Sequence, residues 1–162
     1  MKKYELTAET KKIFGRTLYR IKALRDIRED IKAGDLGGWI EKESNLSHDG
    51  DAWVCGNAKV YGNAWVCGNA EVYGNAEVRG NAEVTEITDV FAVSPIGSRN
   101  DTTTFYKAKG GKIFVKCGCK NTDIDTWLGM VQATHGDNKH AKAYRLAAQI
   151  AKLQILGEEE KQ

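Results

Sequence analysis

The chain has 162 residues, with 24 Lys or Arg against 22 Asp or Glu and a formal net charge of +2. That length suits one compact domain, or one domain with small appendages. No long apolar run marks a membrane span, and the opening Met-Lys-Lys-Tyr-Glu-Leu lacks the apolar core of a secretion signal, so a cytoplasmic protein is expected.

The charge is uneven along the chain. Ten basic residues face five acidic ones before Gly34, three face ten from Gly34 to Val90, and eleven face seven from Phe91 onward, three of the seven being Glu158-Glu159-Glu160. Basic residues this scattered, around a centre that repels phosphate, argue against long nucleic acid and leave room for a small anionic ligand on the basic flanks.

Residues 1–33 read as an N-terminal β-hairpin. Leu18-Tyr19-Arg20-Ile21-Lys22-Ala23-Leu24 alternates as a strand does, and Gly15 separates it from a first arm containing Lys12-Ile13-Phe14. Such a hairpin would cap the open edge of the segment after Gly34, and Tyr19, Arg20, Lys22 and Arg25 are also available to line a site.

Residues 34–90 are organised by a six-residue period. Val54, Val60, Val66, Val72, Val78 and Val84 form one column, and Ala52, Ala58, Ala64, Ala70, Ala76 and Ala82 form another two positions earlier. Each Ala-x-Val predicts a short strand with both side chains on one face. Each Gly-Asn predicts a corner, because these residues tolerate left-handed backbone.

On these residues the chain resembles the hexapeptide-repeat proteins of the left-handed parallel β-helix, of the kind found in phages and prophages. The resemblance implies a triangular coil of about eighteen residues per turn, with Val54 over Val72, Val60 over Val78 and Lys59 over Glu77, assembled as a homotrimer or larger homo-oligomer. The implied fold class is β-rich: a left-handed parallel β-helix with an N-terminal β cap and a C-terminal α+β domain of three strands and two helices. Some hexapeptide proteins are acyltransferases that use a histidine as general base. The strict repeats here contain no histidine, and His48 lies in the looser Ser47-His48-Asp49-Gly50 stretch.

Residues 91–162 break the period. Strands are predicted over 89–93, Thr102–Lys107 and Lys112–Cys117, then helices over about 123–133 and from near Asp137 to near Leu156. Cys117-Gly118-Cys119 is read as two plain thiols, like Cys55 and Cys67, and no metal site or cofactor is expected.

Two stretches carry the functional interest. One holds Ser98, Arg99, Asn100, Thr102, Thr103, Thr104 and Tyr106; the other holds His135, Asn138, Lys139 and His140. Hydroxyls, guanidinium, ammonium, imidazole and helix-start amides are the groups that hold phosphate oxygens. The polar-turn and N-cap readings of each stretch stand beside this one.

The expectation is a binding protein without a catalytic residue. It would sequester a small phosphorylated molecule or cyclic nucleotide, and the resemblance implies a phage anti-defence sponge for a nucleotide immune signal, acting in the host cytoplasm. A hexapeptide acyltransferase using His48 or His135 and a structural trimeric scaffold are the alternatives.

Overall fold

A computed structural model describes residues 1–157; the acidic run Glu158-Glu159-Glu160 lies outside the described residues. The chain divides into two compact units, Met1–Ile87 and Thr88 onward.

The first unit opens with β1 (Tyr4–Ile13) and β2 (Arg16–Ala23), paired antiparallel from Tyr4↔Ala23 to Ile13↔Arg16. Phe14 and Gly15 both have positive φ, 47° and 76°, which is the backbone a two-residue hairpin turn needs to match the strand twist. β3 (Leu36–Ile40) adds antiparallel to β2.

The repeat then supplies six strands of two residues each: β4 (Trp53–Val54), β5 (Lys59–Val60), β6 (Trp65–Val66), β7 (Glu71–Val72), β8 (Glu77–Val78) and β9 (Glu83–Val84). The six valines and the six alanines of the period are all buried. Pairings Val54↔Val72, Val60↔Val78 and Lys59↔Glu77 are present, each parallel.

The architecture is nevertheless not the expected one. The strands fall into separate small sheets: one mixed and five-stranded (β1-β2-β3-β5-β8), and two of only two strands (β4-β7 and β6-β9). The long ladders are antiparallel, and every parallel ladder is two residues long. A Gly corner with φ between 58° and 72° follows each valine from Val54 to Val78 after one intervening residue, so each parallel ladder ends after two residues. The left-handed parallel β-helix is therefore corrected to a β-rich fold of four small sheets, mixed and antiparallel, with two C-terminal helices.

Backbones in this unit approach closely. A Cβ on Gly68 would stand 2.5 Å from the Thr85 carbonyl oxygen, and one on Gly50 would stand 2.7 Å from the Gly68 oxygen. Three buried polar side chains tie loops together. Lys3 Nζ donates to the Ala52 and Gly50 carbonyls at 2.8 and 3.3 Å, Tyr4 Oη to those of Leu46 and Glu43, and Asn45 Nδ2 to those of Ala64 and Gly62. Satisfying carbonyls that face away from water is what makes burying these groups tolerable.

The second unit is a four-stranded antiparallel meander, β10 (Val90–Ile96), β11 (Asp101–Lys107), β12 (Ile113–Cys117) and β13 (Lys120–Asp123), followed by α1 (Ile124–His135) and α2 (Lys139–Leu156). The fourth strand corrects the expected three. Gly118, with φ 56°, and Cys119 reverse the chain in two residues, and Lys120-Asn121-Thr122-Asp123 has no apolar alternation to announce a strand.

Phe105, Ile113 and Val115 meet Ile124, Trp127, Val131, Tyr144, Ala147, Ala148, Ala151 and Ile155 in one core, so both helices cover one sheet face. Asp123 caps α1 by accepting from Thr126 N, and Gly157 ends α2 in left-handed backbone. Neither helix is long and apolar enough to cross a membrane.

Candidate functional site

In an antiparallel meander alternate turns lie at the same end of the sheet. The β10–β11 turn and the β12–β13 turn are such a pair. Between them, α1 and α2 the second unit forms a cavity of about 430 Å3. Ser98, Arg99 and Asp101 come from the first turn, and Cys117, Gly118, Cys119 and Lys120 from the second. Trp127, Met130, Val131, Thr134 and His135 recur at helical spacing and so share one side of α1. Tyr144 enters from α2.

The walls are held by specific contacts. Trp127 stands edge-on to Tyr144 with ring centroids 5.1 Å apart, and the His135 ring lies 5.9 Å from Tyr144. Thr103 Oγ1 donates to Cys117 Sγ at 3.3 Å, and the Tyr144 hydroxyl stands 3.8 Å from the same sulfur. Gly97, with φ 77°, passes so close that any Cβ there would overlap the Tyr144 hydroxyl, so the turn can sit on the ring only as glycine. Lys116 Nζ donates to the Gly118 carbonyl and braces the second turn. Burial first, then the neighbouring Cys117 and Asp101, push the Tyr144 phenol up to about 12, against an opposing pull from Arg99. The phenol therefore stays protonated at neutral pH.

The expected site residues separate into those the fold gathers and those it does not. Ser98, Arg99 and His135 line the cavity. Thr103 is buried on the cavity side of β11, where its hydroxyl holds Cys117. Thr102, Thr104 and Tyr106 alternate onto the opposite sheet face. Thr104 and Tyr106 are buried there, and the Tyr106 hydroxyl donates to Asn121 Oδ1 at 2.7 Å. Asn100 sits in the turn with φ 50°, its N–H donating to the Gly97 carbonyl. Asn138 is the N-cap of α2 and accepts from the His140 and Ala141 amides, so the helix-start amides are already engaged. Lys139 is exposed on the first turn of α2, and the His140 ring lies 5.7 Å from that of His135.

Lys120, Trp127 and Met130 belong to the cavity although their sequence context does not mark them as site residues. The spacing of Trp127 and Val131 marks them as core. Lys120 carries no signal while β13 goes unread.

His48 is engaged within the first unit. Its Nδ1 accepts from the Lys3 amide at 3.2 Å, its ring stacks on Tyr4 at 4.3 Å, and its Nε2 is buried beside Glu43. All four cysteines are free, and among the described residues no three His, Cys, Asp or Glu side chains converge as metal ligands.

No family model matches the chain, and no curated protein is significantly similar to it. The comparisons thus add nothing to the hexapeptide-repeat resemblance. With the fold it implied corrected, the phage origin, the sponge role and the nucleotide ligand that came with it are withdrawn.

Proposed function

We propose that the second unit binds a small phosphorylated molecule and holds it without chemical change. The observation that carries this reading is the cavity itself. Arg99, Lys120 and His135 line it together with an apolar floor of the buried Trp127 and Val131, and Asp101 is the one carboxylate in its lining among the described residues. Its volume of about 430 Å3 suits a metabolite-sized ligand. Arg99 and Lys120 form no ion pair among the described residues, so two cations are free to meet an anion. A guanidinium and an ammonium pair with phosphate oxygens through charge-assisted hydrogen bonds, while the apolar floor suits the ligand's carbon body. The four free thiols accord with a cytoplasmic setting.

Calorimetric titration with a panel of sugar phosphates and other phosphorylated metabolites tests the reading. Binding to one class is expected. Arg99→Ala and Lys120→Ala should each weaken it by about tenfold or more, the cost of one charge-assisted contact. Ligand released on denaturation should have unchanged mass. Affinity indifferent to both substitutions would refute the site. A released ligand of altered mass, with its formation abolished by His135→Ala, would instead establish turnover with His135 as general base.

A further inference from the structure

Cys117 and Cys119 flank Gly118 at the turn from β12 to β13, and both line the cavity of the second unit. Both thiols are free. Gly118 has φ of 56° and Cys117 pairs with Lys120, so the chain reverses over Gly118 and Cys119. Residues so spaced have Cα atoms at most about 7 Å apart even in extended chain. A turn shortens that span into the window of about 4.4–6.8 Å that a disulfide needs.

The two thiols differ in access. Cys119 is exposed. Cys117 is half-buried, with its sulfur accepting from Thr103 Oγ1 at 3.3 Å and standing 3.8 Å from the Tyr144 hydroxyl. One thiol is open to reagents, and the other is held in place beside it.

Cations surround the turn. Arg99 Nη1 lies over Gly118, 3.4 Å from where a Cβ there would stand, and Lys116 Nζ donates to the Gly118 carbonyl. Lys120 follows directly and lines the cavity with Arg99. Cys55 is the contrast. Its thiol donates to Glu71 Oε1 at 3.0 Å, and burial with that carboxylate pushes it up to about 12, which leaves little thiolate to react.

We propose that Cys117 and Cys119 form a redox-active dithiol that reacts with a small carboxylate-bearing disulfide such as glutathione disulfide. Arg99 and Lys120 meet the reagent's carboxylates. The Cys119 thiolate attacks one sulfur of the reagent; a new S–S bond forms, the old one breaks, and half the reagent leaves as thiolate. Cys117, after giving its proton to water, attacks the Cys119 sulfur and expels the second half. Two protein thiols are oxidised and one disulfide is reduced to two thiols, with the two protons released taken up by the leaving thiolates. The ring closed in this way spans only three residues. It gains little from chain entropy, and excess thiol reopens it. This inference does not rest on the ligand-binding reading, and its readouts need no phosphorylated ligand.

Exposure of the reduced full chain to glutathione disulfide tests it, with unreacted thiols then alkylated and the protein digested with trypsin. Cleavage after Lys116 and Lys120 leaves both thiols in one peptide, residues 117–120. Mass spectrometry should show that peptide lacking two hydrogens, formed at least about tenfold faster than any product at Cys55 and reversed by excess reduced glutathione. Cys117→Ser should leave one glutathione attached to Cys119, and Cys119→Ser should slow modification of the peptide by about tenfold or more. Both variants should keep the wild-type circular dichroism. The wild-type chain should react about tenfold faster with glutathione disulfide than with uncharged hydroxyethyl disulfide, a preference that falls with salt and in Arg99→Ala combined with Lys120→Ala. A peptide that stays reduced, a wild-type adduct at Cys119 that Cys117 never resolves, or a disulfide linking two chains would overturn the proposal. So would oxidation of Cys55 at an equal rate, or equal rates with the charged and uncharged reagents.

Discussion

Replacing Gly68 and Gly74 by alanine, one at a time, measures how far the repeat depends on backbones in close contact. The two glycines hold equivalent positions in the period and nearly the same backbone, with φ of 63° and 64°. An alanine at either place meets left-handed strain of about 1–2 kcal/mol, offset by about 0.4–1 kcal/mol because the unfolded chain is also restricted. Their surroundings differ. Nothing lies within 4 Å of a Cβ built on Gly74, whereas one built on Gly68 meets the Thr85 oxygen at 2.5 Å. That oxygen is backbone, accepts from the Asn69 amide at 3.0 Å, and cannot swing aside as a side chain does.

Relieving the overlap should add about 1–3 kcal/mol, the usual cost of overpacking. Gly74→Ala is thus expected to cost about 1 kcal/mol and Gly68→Ala about 2–4 kcal/mol. Urea unfolding monitored by tryptophan emission reads the difference, since Trp39, Trp53 and Trp65 all lie in the first unit. At a slope of about 2 kcal/mol per molar, the two midpoints should differ by about 1 M. Equal midpoints would refute the claim that the stacked corners touch.

Two further expectations concern charge and capping. Burial, with Arg25 nearby, lowers the Lys3 ammonium to about 8. The unfolded chain therefore binds that proton more tightly than the folded one, so the Lys3 contribution to stability should climb as pH rises from 8 to 10. Cys55, whose thiol is pushed up to about 12 by burial, works against it from about pH 9. Above 10 the gain is opposed, because burial raises Tyr4 and the folded state then holds the phenolic proton more tightly. Melting of Lys3→Met should lack the climb, and parallel pH curves for the two proteins would remove Lys3 as its source. Asn138→Ala should destabilise the second unit by about 1 kcal/mol through the lost cap while leaving ligand affinity within error. A large loss of affinity with an unchanged melt would return Asn138 to the binding site.

The parts of the fold legible in the sequence are those in which a periodic pattern and burial coincide. The valine and alanine columns and the two helices are of this kind, because burial at a fixed spacing leaves its mark on residue type, whereas the exposed turn at Gly15 is legible from its glycine. Parallel pairing of Val54 with Val72 and Val60 with Val78 comes from the same period. What the period does not specify is how far a ladder extends. Two extended residues between corners give pairs and short stacks, and a whole-fold identity drawn from the repeat outran that limit.

The site was legible only in part, for a different reason. Ser98, Arg99 and His135 lie in turns or at a helix end, where neighbours in sequence stay neighbours in space. Thr102, Thr104 and Tyr106 lie on a strand, and strand alternation sends them to the face that Thr103 does not share. Asn138 is visible as a polar residue before a helix, and its cap hydrogen bonds use the amides that a phosphate would have needed. Tyr144 reads as one more apolar-face residue of α2, and only the contact with Gly97 shows that its hydroxyl reaches the turn.

The edge-on pair of Trp127 and Tyr144 gives the second unit an optical readout of its own. Rings 5.1 Å apart exchange excitation efficiently, so light absorbed by Tyr144 should emerge as indole emission. Trp127 is the second unit's one tryptophan among the chain's four, and it forms the floor of the cavity. With Trp39, Trp53 and Trp65 replaced by phenylalanine, the colour and lifetime of the remaining emission would report directly whether that floor is wet or covered.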